Sequence, residues 1–140
     1  MKPLVSEPIG FAIASSAPAA NLSRSTISGP ELREMIKMRR VRDQYFDHSL
    51  FADPAWDILL DLLAARLEGK KVSVSSLCIA AAVPPTTVLR WLTGMTESGL
   101  LVRHHDPSDA RRMFIALSDD STAKLTAYFD EVRRRTTLPI

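Results

Sequence analysis

Residues 77–118 read LCIAAAVPPTTVLRWLTGMTESGLLVRHHDPSDARRMFIALS, and the succession of periods within them sets the fold. A sharp turn at Val83, Pro84 and Pro85 divides two short helical segments, and the second of these, predicted over 85–98, runs to Gly99, a left-handed stop. Leu100 to His104 and Met113 to Leu117 then alternate as strands around the polar turn Asp106 to Arg112, which together predict a hairpin. Two helices on a tight turn, followed at once by a hairpin, make a helix-turn-helix with a wing. The expected fold class is therefore mainly α with a small β-hairpin, a winged helix-turn-helix with flanking dimerisation helices.

Working outward, Val72 to Val74 is strand-like, and Ser75 or Ser76 is expected to cap a short helix through Ala82. Asp53 followed by Pro54 starts a strongly apolar helix through Trp56, Leu59, Leu60, Leu63 and Leu67 to Gly69, the predicted centre of the core. Ser118 and Asp119 open a last helix, about 119–135, with Leu125, Tyr128, Phe129 and Val132 on one face. Upstream, Pro30 suits a first helical turn, and Glu31 to Phe46 is predicted helical. At 100° per residue Leu32, Met35, Ile36 and Phe46 gather on one side, with Met38, Val41 and Tyr45 nearly opposite. Such a helix has two things to pack against, its own domain and a second subunit. Residues 1–29 mix Ser, Ala and Pro without a period and read as a flexible arm, leaving 30–140 as one domain with dimerisation helices at about 30–46 and 119–135.

The 140 residues, 46% hydrophobic and 24% charged, suit one globular core. Although the net charge is only +2, the basic residues cluster: Arg33, Lys37, Arg39, Arg40 and Arg42, then Arg103, Arg111 and Arg112, then Arg133, Arg134 and Arg135. Each cluster alone reads as a solvated face, yet such patches also serve polyanions. The single cysteine, Cys78, excludes an internal disulfide and fits a reducing cytoplasm, the expected location. No run approaches the roughly 18 apolar residues of a membrane span, and Ile9 to Ala14 is short for a signal peptide and follows Glu7 and Pro8.

The second helix of the pair separates into faces. Val88, Trp91, Leu92 and Met95 fall within an arc of about 100° and are expected in the core. Opposite stand Thr86, Arg90, Thr93 and Glu97, flanked by Thr87 and Leu89. An isolated helix of this kind simply shows its polar side to water, but the adjoining turn and wing make that side a groove-reading surface. Arg90 is the candidate for base reading, because guanidinium pairs bidentately with guanine. Thr86, Thr87 and Thr93 offer hydroxyls to phosphates or base edges, and Leu89 an apolar contact for a thymine methyl. In the hairpin Arg103, Arg111 and Arg112 bracket a turn whose acids are expected to pair with at least one arginine, leaving Arg111 or Arg112 for a narrow minor groove.

Catalysis finds no support, since no nucleophile-and-base pair, glycine-rich phosphate loop or acid dyad occurs. No cofactor and no metal are expected: His104 and His105 are adjacent on a strand and point to opposite faces, and Cys78 reads as a small core residue.

Residues 77–118 resemble the MarR family of winged-helix regulators. The stretch 77–103, with its Glu97, Gly99, Leu100 and Val102 ending, is similar to that family's helix-turn-helix, and DPSDARRMFIALS (106–118) to its wing. The resemblance implies that Asp109 braces the wing, that Arg111 approaches the minor groove and that Thr86, Thr87 and Arg90 occupy recognition positions. It also implies a homodimer on pseudo-palindromic double-stranded DNA, with release by a small aromatic or phenolic ligand in many members. The chain has room for one helix after the wing where the family commonly uses two, and nothing in the sequence identifies an effector. The expected function is sequence-specific DNA binding, with helix 85–98 in the major groove and wing 104–112 on the minor groove. The alternative is a winged-helix module for protein interaction or assembly.

Overall fold

The computed structural model describes residues 27–51, 53–80 and 83–135. Helix α1 (Gly29–Val41) begins at a reciprocal cap, in which the Glu31 N–H donates to Ser28 Oγ at 3.2 Å and the Ser28 N–H to Glu31 Oε1 at 2.9 Å. Two donors that a helix start or its cap leaves free are thereby satisfied. Ile27, just before the cap, is 4% exposed. Ile27 to Gly29 therefore belong to the folded body rather than to the arm expected over 1–29, whose residues 1–26 lie outside the described residues.

The helix predicted to run to Phe46 ends at Val41 and tightens into a 3-10 turn, Arg42–Gln44. Leu32, Met35 and Ile36 pack on the core, but the stripe continues at Arg39, Arg40 and Asp43, so nothing apolar ties the next turn down. Phe46, expected beside Leu32, is instead 62% exposed.

Helix α2 (Pro54–Leu67) starts as predicted, Asp53 accepting from the Trp56 N–H at 3.4 Å. It buries Ile58, Leu60, Leu62, Leu63, Ala64 and Ala65. Its end is closed at Gly69, φ 70°, where the Gly69 N–H reaches Arg66 O and the Lys70 N–H reaches Ala65 O at 2.8 Å. Ion pairs fix α1 on α2: Arg33 sits 2.7 Å from Asp61 and grips both oxygens of Glu68 at 3.1 and 3.2 Å, and Arg39 lies 3.0 Å from Asp57. The basic run 33–42 is thus largely engaged within the molecule.

After β1 (Val72–Ser73) comes α3 (Val74–Ala80). Its cap is Ser73, not Ser75 or Ser76: Ser73 Oγ accepts from the Ser76 N–H at 3.1 Å. The predicted continuation to Ala82 falls outside the described residues. Helix α4 (Pro85–Glu97) follows and ends before Gly99, φ 85°.

Strands β2 (Leu101–Asp106) and β3 (Asp109–Leu117) extend further than expected, reducing the predicted turn 106–112 to Pro107 and Ser108. The antiparallel sheet has order β1-β3-β2, with Leu101 opposite Leu117 and Arg103 opposite Ile115. Helix α5 (Asp119–Arg135) starts where Ser118 Oγ accepts from the Ser121 N–H at 3.1 Å. It is tied back by Arg66–Asp119 at 3.0 Å and Arg133–Glu31 at 3.1 Å, and by Tyr128 and Phe129 packed around Trp56. Leu32, Leu63, Leu92, Leu101, Ile115 and Leu117, from α1, α2, α4, β2 and β3, form the sealed centre, and Leu77 of α3 and Leu125 and Phe129 of α5 join the same core. The expected mainly α fold with a small β-hairpin is borne out, with β1 as a third strand. Among the described residues no helix is long and apolar enough to cross a membrane.

Candidate nucleic-acid interface

Pro84 is extended (ψ 148°), and Pro85 then opens α4 at a position that needs no donor. Val88, Leu92 and Met95 anchor the helix in the core. This fixes the rotation of α4 and turns Thr86, Arg90, Thr93 and Glu97 to solvent, with Thr87 half-buried at the flank. Trp91, expected in the core, is 43% exposed because it falls at the edge of the buried arc, and Leu89 is 46% exposed. The helix therefore presents two large apolar side chains beside its polar stripe. Only one of them, Leu89, was expected there.

The wing is held by its acids. Asp106 Oδ1 accepts from both the N–H and the hydroxyl of Ser108, at 2.8 and 2.7 Å. The Ser108 hydroxyl above all, then its N–H, keeps the Asp106 carboxyl below the ordinary range. Asp109 Oδ1 accepts from the Arg111 backbone N–H at 3.0 Å and lies 3.4 Å from Arg111 Nε. The Arg111 side chain remains 93% exposed.

Alternation along β3 sets Arg111 on the sheet face of Ile115 and of its neighbour Arg103, and Arg112 on the other face. There the Arg112 guanidinium lies 5.3 Å from the Phe114 ring centroid and 4.0 Å from Asp106. The two adjacent arginines, equivalent in the sequence, thus have different surroundings.

Helix and wing meet through Arg103, whose Nη2 donates to Thr93 Oγ1 at 3.4 Å. Thr93 and Arg90 lie within about 60° on the helical wheel, so the polar stripe and the root of the wing share one side of the molecule. An open groove of about 870 Å³ runs between α3, α4 and the wing, lined among others by Ser75, Leu89, Asp109, Arg111 and Arg112. Ser75, which the sequence reads as a helix cap rather than a site residue, lines this groove as well. Cys78, half-buried, also lines this groove. Among the described residues no group of three or more His, Cys, Asp or Glu side chains is placed to hold a metal ion.

An MepR mutant from a multidrug-resistant S. aureus clinical isolate superposes with a TM-score of 0.52 at 20% identity, over 78% of this chain and 78% of that one. The S. aureus MepR–DNA complex superposes with a TM-score of 0.50 at 22% identity, over 71% of this chain and 81% of that one. The fold is that of the MarR-type winged-helix regulators. A Lactococcus lactis ZitR mutant matches over 61% of this chain at 18% identity and a TM-score of 0.46, and the present chain spans 56% of its length. No protein-family model and no curated protein matches the sequence. In this chain α4 is the second of two successive short helices and β2–β3 is the hairpin that follows them, and the candidate residues fall on these elements.

Proposed function

We propose that the chain is a DNA-binding transcriptional regulator of MarR type that works as a homodimer. Each subunit lays α4 in a major groove and sets its wing, 104–112, on the flanking minor groove, with half-sites roughly 34 Å apart. Arg90 reads a base, Thr86, Thr87 and Thr93 contact phosphates or base edges, and Leu89 meets a methyl group. Arg103 contacts the backbone beside the helix. Arg111 enters the minor groove with its shape fixed by Asp109, and Arg112 supports it from the opposite sheet face.

The observation that carries this proposal is the Thr93–Arg103 contact, which keeps the stripe led by Arg90 on the side of the wing that bears Arg111. The MepR structure of the same fold, solved as a DNA complex, is a precedent. Dimerisation is supported by the apolar surface at the end of α1 and beyond, where Met38, Val41, Tyr45, Phe46 and Leu50 are 45–75% exposed. Selection of duplexes from a random pool, followed by mobility shift at two salt concentrations, tests the proposal. Selective binding that weakens steeply with salt is the expected result.

Exposed Leu89 and Trp91 on α4, with Ile79 on α3 84% exposed, favour a second possibility, a protein-interaction module. Absence of any duplex binding at low salt, where even non-specific association appears, would decide for it.

A further inference from the structure

Helix α4 ends in an acid. Glu97, its last residue, is exposed and has no ion pair or side-chain hydrogen bond among the described residues. The carboxylates of the wing differ, Asp106 being engaged by Ser108 and Asp109 by Arg111. Arg103 reaches Thr93, one helical turn before Glu97, and gives its hydrogen bond to the Thr93 hydroxyl. As a charge, Glu97 does not stabilise the fold. No basic residue lies in the last turn of α4, and a negative group at the carbonyl end of a helix opposes the helix dipole.

Its place is on the reading stripe. On the helical wheel Glu97 falls about 20° from Arg90 and about 40° from Thr93, away from the buried Val88, Leu92 and Met95. A carboxylate turned toward a duplex is repelled by phosphates and by the acceptors that guanine and thymine show in the major groove. An amino group satisfies it. Adenine sets the acceptor N7 beside its amino group, whereas cytosine offers N4 with no acceptor on the same base edge.

From this unengaged acid on the stripe, we propose that Glu97 is a specificity-determining residue that accepts a hydrogen bond from cytosine N4 and rejects the other bases at that position. The inference rests on the reading of α4 as the helix in the major groove. Glu97 stands seven residues beyond Arg90, about 10 Å along the helix. The cytosine therefore falls about three base pairs from the guanine of Arg90, at about 3.4 Å for each. Discrimination comes from repulsion as much as from the new bond, since any other base leaves the carboxylate unpaired or facing an acceptor.

The test is selection from a random duplex pool by the full chain and by Arg90→Ala, Glu97→Gln and Glu97→Ala, followed by competition binding at single substituted positions. The parent should prefer cytosine about tenfold at one position, about three base pairs from the guanine that Arg90→Ala ceases to select. Both Glu97 variants change an exposed helix end, so they should fold, keep that guanine and lose the cytosine. Glu97→Gln should take adenine instead, because glutamine pairs with N6 and N7 together. Cytosine preference undiminished in either variant overturns the proposal. So does an equal gain in affinity for every duplex, which would make Glu97 a general repeller of phosphate. Either result with the guanine still selected leaves the reading of α4 standing, whereas a parent that selects no sequence removes both.

Discussion

Arg103 on β2 and Thr93 on α4 join wing to helix through a hydrogen bond of 3.4 Å between two solvent-exposed side chains. An exposed bond this long contributes little to stability. Its consequence is geometric, since it sets the guanidinium beside the polar stripe while leaving it free to exchange Thr93 for a phosphate oxygen. In the proposed complex wing and helix approach a duplex as one surface.

Arg90 and Arg111 differ in kind, and their alanine variants are expected to differ accordingly. Arg90→Ala should cost about 1–3 kcal/mol on the selected duplex and relax sequence preference, as loss of a bidentate base contact does. Arg111→Ala should weaken all duplexes alike and lower the slope of affinity against salt by about one counterion. Fluorescence anisotropy on the selected and a scrambled duplex measures both. If Arg90→Ala binds the two as the parent does, α4 is not the reading element.

Much of this arrangement was legible in the sequence, and the exceptions have local causes. Asp53–Pro54, Gly69, Gly99 and Ser118 signal helix ends through backbone chemistry that acts within a few residues, and each stands where expected. The end of α1 was hidden, because Phe46 continues the apolar phase while the intervening stripe positions are charged. The engagement of Arg33 by Asp61 and Glu68 joins residues far apart in the chain, so no local pattern announces it. From the residues alone Arg111 and Arg112 could not be told apart, although the family resemblance implied Arg111 for the minor groove; the strand running through them fixes which face each takes. The cap of α3 moved to Ser73 because strand β1 turns directly into the helix, a junction that either neighbouring serine could equally have made.

If the apolar surface beyond α1 is the dimer contact, charging its centre should leave a monomer at every concentration. Phe46→Glu with Leu50→Glu replaces side chains that are 62% and 69% exposed, so the fold should persist while self-association fails. Light scattering after size exclusion should show the parent at twice the chain mass and the variant at once. A parent that elutes as a monomer throughout would remove the homodimer from the proposed function.

The cap of α1 carries a pH dependence. Glu31 lies below its ordinary value of 4.5, first through the hydrogen bond from the Ser28 N–H and next through Arg133. A depressed carboxylate contributes stability that is complete above the unfolded value and is lost as pH falls through the folded one. Glu31→Gln keeps an acceptor for Ser28 but no charge, so its deficit against the parent should be seen at pH 7 and shrink below about 4.5. Thermal melts across that range measure it, and a deficit independent of pH would mean that the charge is irrelevant. Ser28→Ala should cost about 1 kcal/mol at any pH, since it removes the other half of the cap.

Asp130 on α5 gives the opposite sign. Its Oδ1 is shielded from solvent and has no hydrogen-bond partner among the described residues, and burial raises the carboxyl above 3.8 against the pull of Arg134 and Arg133. A group whose folded value is raised favours folding most when protonated in both states, below 3.8, and loses that contribution as pH climbs to the folded value. Asp130→Asn keeps the shape and removes the charge. It should therefore stabilise the protein at pH 7 by about 1 kcal/mol, the low end for an unpaired group because the residue is only half-buried. The gain should fade on acidification and be gone where the parent carboxyl is itself protonated. A variant less stable than the parent at pH 7 would mean that the ionised form has a partner, and the neighbouring Arg133 and Arg134 are where substitution to Gln would next look for it.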